Sequence, residues 1–136
     1  GGFVPIGPLV GVLAGGAAAW AVARSGLPGQ TIASAATAGM VGTLVGSVID
    51  QRSPMWAYAG IGVAMGLAGP VAAMVLHGDR VVEAVFSGRV AALARPSGMD
   101  WLAGVLMGVP VGDAWAASML ERKAGHGAGD ASVKRA

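Results

Sequence analysis

The stretch SPMWAYAGIGVAMGLAGPVAAMVL, residues 53–76, contains no charged side chain. At helical rise, about 20 residues cross the roughly 30 Å hydrocarbon layer of a bilayer. Two more uncharged runs precede it, residues 1–23 and 25–49. Each exceeds the roughly 18 residues that mark a membrane-span candidate. An open strand in lipid leaves its N–H and C=O groups unpaired, and the strands of a β-barrel alternate apolar and polar residues. These runs do not alternate, so they are predicted to be helices, over about 4–23, 31–49 and 55–76.

The composition agrees with that reading. The chain has 136 residues, of which 54% are hydrophobic and 12% charged. An ordinary soluble domain carries about 25% charged residues, and so few charges do not cover a water-facing surface of this length. The first run lacks a basic leader region, so it reads as a span and not as a signal peptide. Basic residues sit at the ends of the apolar runs and form no stripe, which argues against nucleic acid as a partner. Arg outnumbers Lys and Ala and Gly are abundant, a usage that suggests a bacterial, inner-membrane setting.

Beyond residue 76 the texture changes. Asp79, Arg80, Glu83, Arg89, Arg95 and Asp100 punctuate residues 77–100. Val82, Phe86, Val90 and Leu93 fall on one helical face, which predicts an interfacial amphipathic helix over about 79–95. The next segment, about 101–120, has an uncharged part of only twelve residues, 101–112, before Asp113. Two readings fit it. Either a discontinuous helix spans the bilayer with Asp113 inside, or a re-entrant helix ends at Pro110 and Asp113 caps a second helix.

With four spans, Arg52, Arg122, Lys123, Lys134 and Arg135 face Arg24, Arg80, Arg89 and Arg95 across the membrane, a balance that leaves orientation open; with three, Arg52 alone lies opposite the other eight, an asymmetry that favours three spans. The expected fold class is therefore all-α: a membrane bundle of three spanning helices plus a fourth embedded segment. Residues 1–120 form one domain, and 121–136, rich in Gly and charge, form a disordered polar tail.

The most specific pattern is small residues at four-residue spacing. The first segment has Gly7, Gly11 and Gly15; the second Ala38, Gly42 and Gly46; the third Gly62 and Gly66; the fourth Gly104, Gly108 and Gly112. Four residues is just over one turn, so each set makes a groove where another backbone approaches closely. The spacing does not say whether the grooves meet each other or a neighbouring subunit. The run 11–15 with Trp20 is also echoed by 104–108 with Trp115, a hint of repeated halves.

Asp113 is the one ionisable residue placed at depth. A carboxylate there is a candidate proton or cation site, or the partner of Arg89 or Arg95. Trp20, Trp56, Tyr58 and Trp101 lie near segment ends and are expected to form an interfacial aromatic belt. Met40, Met65, Met74 and Met107 share no ligand spacing, so no metal site is expected. The absence of Cys excludes disulfides and thiolate centres. No nucleophile–His–acid set, phosphate loop or HExxH motif occurs, and no cofactor is implied. The expectation is a non-catalytic membrane protein whose partners are lipid and other membrane helices. It packs through its glycine faces in a homo-oligomer or larger complex. A small transporter or channel using Asp113 is the alternative.

Overall fold

The computed structural model describes residues 6–24, 29–88 and 97–133. Helix α1 spans Ile6–Ala23, α2 Gln30–Ile49 and α3 Met55–His77. A 3-10 turn, Gly78–Arg80, leads into the short α4, Val81–Phe86, and α5 covers Gly98–Val133. Four stretches are long and apolar enough to cross a membrane: Ile6–Ala23, Gln30–Ile49, Met55–Ala84 and Gly98–Ala124. The fold is an all-α bundle of the membrane type.

Local chemistry explains the boundaries. Between α2 and α3, Asp50 builds a tight turn: its Oδ1 accepts from the Arg52 N–H at 3.1 Å and its Oδ2 from the Ser53 hydroxyl at 2.8 Å. Helix α3 stops at Gly78, whose φ of 51° is a conformation that a Cβ disfavours. Helix α5 opens with a reciprocal cap. The Asp100 N–H donates to the Ser97 hydroxyl at 3.2 Å, and the Ser97 N–H donates back to Asp100 Oδ2 at 2.9 Å. That cap starts α5 three residues before the segment expected from hydropathy.

Helix α2 is the centre of the bundle. The order of facing positions gives the directions. Gly7, Gly11 and Gly15 meet Gly46, Gly42 and Ala38 in turn, so α1 and α2 are antiparallel. Gly104, Gly108 and Gly112 meet residues around Ala35, Ala36 and Met40, so α5 runs parallel to α2. Gly62 and Gly66 meet Val105 and Trp101, making α3 antiparallel to α5. The two glycine triplets of α1 and α5 thus pack on two faces of the same helix, in opposite directions.

One of the two open readings of the fourth segment is excluded, and one expectation is corrected. Helix α5 is continuous through Pro110, so the segment is not re-entrant, and Asp113 lies in mid-helix and caps nothing. Pro110 removes one backbone donor, but its exposed ring lies between Gly108 and Gly112, whose packing on α2 holds the helix on course. The tail expected to be disordered from residue 121 instead continues α5 to Val133. A helix already nucleated by a packed span propagates at small cost per residue through Glu121, Arg122, Lys123 and Ala124, which are good helix formers; Gly125, Gly127 and Gly129 beyond them are not, and their propensity does not account for the last turns. The amphipathic helix is described only as α4, with Val82 and Phe86 both exposed; Val90 and Leu93 lie outside the described residues.

Candidate functional site

The glycine faces come first, because they decide what the rest of the molecule presents outward. A Cβ on Gly7 would sit 2.6 Å from Asp50 Cβ and 2.8 Å from the Gly46 carbonyl oxygen. One on Gly15 would sit 2.5 Å from the Ala38 carbonyl oxygen, and one on Gly11 would overlap the Gly42 carbonyl. On α5, a Cβ at Gly104 would meet Ala35 Cβ at 2.5 Å. At Gly108 it would overlap the Ala36 carbonyl, and at Gly112 that of Met40. Real Cβ atoms do not approach so closely, so these helices cross at distances that only glycine permits. Gly39, which the four-residue spacing does not single out, serves the second face of α2: a Cβ there would lie 3.1 Å from the Val105 backbone.

Every glycine of the four sets therefore faces another helix of this same chain. The grooves meet each other. An association with other chains has to use a different surface, and the exposed side chains show which are available. Leu9 and Leu13 on α1, Leu67 and Val71 on α3, and Leu106 and Met107 on α5 all point outward.

The aromatic residues divide in two. Trp20 and Trp56 are exposed, and the Arg24 guanidinium stacks 4.5 Å over the Trp20 ring at the end of α1. Tyr58 and Trp101 are buried, contrary to the belt expectation. The reason is the shape of the glycine grooves. Tyr58 reaches the backbone of Gly46, with its hydroxyl 2.8 Å from where a Cβ would be, and Trp101 lies against Gly66. Absent side chains make room for rings. The signal was present in the spacing: Tyr58, Gly62 and Gly66 share one helical face, so Tyr58 belongs to the packed side of α3.

Between α1, α2, α3 and α5 a cavity of about 30 Å³ remains, lined by Thr43, Tyr58 and Trp101 among glycine and aliphatic residues. Asp113 does not line it. Asp113 is exposed on the flank of α5, next to Gly112, and makes no hydrogen bond or ion pair among the described residues. Arg89 and Arg95, its expected partners, lie outside the described residues. Gly112 meets the backbone of Met40 and Leu44, so Asp113 is level with Thr43 and Leu44, about one and a half turns before the α2 end at Ile49. It also falls close to the midpoint of the apolar stretch Gly98–Ala124. Among the methionines, Met74 and Met107 are exposed on different helices.

Among the described residues no cluster of three or more His, Asp or Glu has the geometry to hold a metal ion. No family model matches the chain, and neither a curated protein nor a solved structure matches it.

Proposed function

We propose that the chain is a non-catalytic, multi-pass subunit of a bacterial inner-membrane assembly, and that a neighbouring membrane helix covers α5 around Asp113. The observation that supports this is the position of that carboxylate: mid-stretch, exposed and unpaired. Facing hydrocarbon, an ionised Asp is strongly unfavourable. A second copy of the chain or a helix of another subunit that supplies a hydrogen-bond donor or a cation relieves that cost. The glycine faces, already filled within the chain, serve to hold the subunit together and to leave its outer faces for association.

The chain contains no Cys, so a single introduced thiol reports on one position only. Ala117 is exposed one turn beyond Asp113. Native mass spectrometry from mild detergent should show more than one chain per particle, and Ala117→Cys should cross-link across that contact. A lone monomer with no cross-link overturns the reading. The same carboxylate also supports a second reading, in which it carries protons or cations along a path lined by several copies. Flux through reconstituted protein that is lost in Asp113→Asn favours that second reading.

A further inference from the structure

At the end of α2 an open groove of about 510 Å³ runs between this helix and α5, lined by Val48, Gln51, Met119, Leu120, Lys123 and Ala124. That is within the range of ligand clefts, about 300–1,000 Å³. Its two walls set its depth in the membrane. Helix α2 ends at Ile49, and the apolar stretch of α5 ends at Ala124. The groove therefore lies where hydrocarbon gives way to headgroups. Its chemistry is divided in the same way: Val48 and Met119 are exposed and apolar, whereas Gln51 and Lys123 are exposed and polar. Lys123 makes no ion pair or hydrogen bond among the described residues.

The α2 wall carries a partial charge of its own. The last carbonyls of a helix have no intrahelical partner, and together they make its C-terminal end negative. Here the following turn leaves them open. The Asp50 N–H donates to the Gly46 carbonyl, but the N–H groups of Arg52 and Ser53 bond to Asp50 itself, at 3.1 and 3.2 Å. The carbonyls of Ser47, Val48 and Ile49 receive no main-chain N–H from that turn. Nor does α2 carry a basic residue in its last turn. One wall of the groove thus brings a cation and the other the carbonyl end of a helix.

We propose that this groove holds a phospholipid whose headgroup ends in a primary ammonium, of the ethanolamine type. Its phosphate meets Lys123, as headgroups do in basic pockets between membrane helices. Its ammonium, with three donors, serves the carbonyl end of α2 and the Gln51 side-chain oxygen. Its acyl chains begin along Val48, Met119 and Leu120. Charge complementarity selects among headgroups. A choline headgroup has no N–H to donate. A glycerol headgroup leaves the lipid with a net negative charge beside the negative end of a helix.

The test uses the intact chain in mild detergent, with an equimolar mixture of phosphatidylethanolamine, its N,N-dimethyl analogue, phosphatidylcholine and phosphatidylglycerol of matched acyl chains. Native mass spectrometry counts the lipids retained per chain, whether or not chains associate. The ethanolamine lipid should be retained about tenfold over the choline lipid, the worth of one charge-assisted hydrogen bond, with the dimethyl analogue between them. Lys123→Gln should lower that retention by a similar factor and Lys123→Arg should keep it. Gln51→Leu should narrow the preference for ethanolamine over choline. Arg80→Gln, in a groove at the opposite end of the bundle, should change nothing. Equal retention of all the lipids overturns the proposal. So does a preference for phosphatidylglycerol, or retention that Lys123→Gln leaves unchanged.

Discussion

Gly11 on α1 and Gly42 on α2 face each other's main chain: a methyl group on Gly11 overlaps the Gly42 carbonyl, and one on Gly42 comes within 2.9 Å of the Gly11 carbonyl oxygen. The contact is reciprocal and lies within one chain. Gly11→Leu should therefore loosen the subunit itself, lowering its unfolding free energy by on the order of 1–3 kcal/mol, as for overpacking a tight contact. Leu is as favourable as Gly for insertion, so the protein still enters the membrane. Leu13→Ile, on the exposed face of α1, should change little. Thermal unfolding in detergent makes the comparison. An unchanged midpoint for Gly11→Leu refutes the α1–α2 packing.

Adjacent glycines should respond with opposite sign. A Cβ on Gly15 meets the Ala38 carbonyl oxygen at 2.5 Å, whereas one on Gly16 has nothing within 4 Å. Gly15→Ala should destabilise by about 1–3 kcal/mol. Gly16→Ala should stabilise by roughly 0.5–1 kcal/mol, since Ala costs less backbone entropy than Gly in a helix interior. Equal effects at the two positions would mean that α1 has the wrong rotation.

The α3–α5 contact is a fit of size. A Cβ on Gly62 would lie 2.7 Å from Val105 Cβ and 2.5 Å from its Cγ2. Gly62→Ala crowds the contact and Val105→Ala empties it. Val105→Ala takes away the two methyls nearest Gly62 but leaves its Cβ 2.7 Å from the new one, so the double variant relieves the crowding in part and should be more stable than the sum of the single losses predicts, with a coupling of about 0.5–3 kcal/mol. Strict additivity would show that α3 does not pack there.

Topology follows from the continuity of α5. Four crossings put Arg52 and Lys123 on one side and Arg24 and Arg80 on the other. Single Cys replacements at these positions should label with a membrane-impermeant reagent in two pairs, one pair from each side. Lys123→Cys labelling together with Arg24→Cys would restore the re-entrant picture for residues 101–120.

The uncharged runs alone determined that the chain is helical and of membrane type, because lipid admits only backbone that satisfies its own hydrogen bonds. The four-residue spacing of small residues likewise marked the faces on which the helices pack, from Gly7 on α1 to Gly112 on α5. Hydropathy is a property of each segment taken singly, and it carries no information on rotation or on which groove meets which. Tertiary structure decided that α2 sits between two glycine triplets and that these grooves close on each other. It also decided that α5 passes Pro110 unbroken, where an apolar count stopped at Asp113 and left two readings open. Tyr58 and Trp101 show the same division. Their nearness to segment ends suggested an interface, but their rotation placed them over Gly46 and Gly66, where missing Cβ atoms admit a ring. The exposure of Asp113 is the other half of that geometry. Once Gly104, Gly108 and Gly112 are pressed against α2, the residue after Gly112 is turned by one helical step onto the flank of α5, outside the packed core.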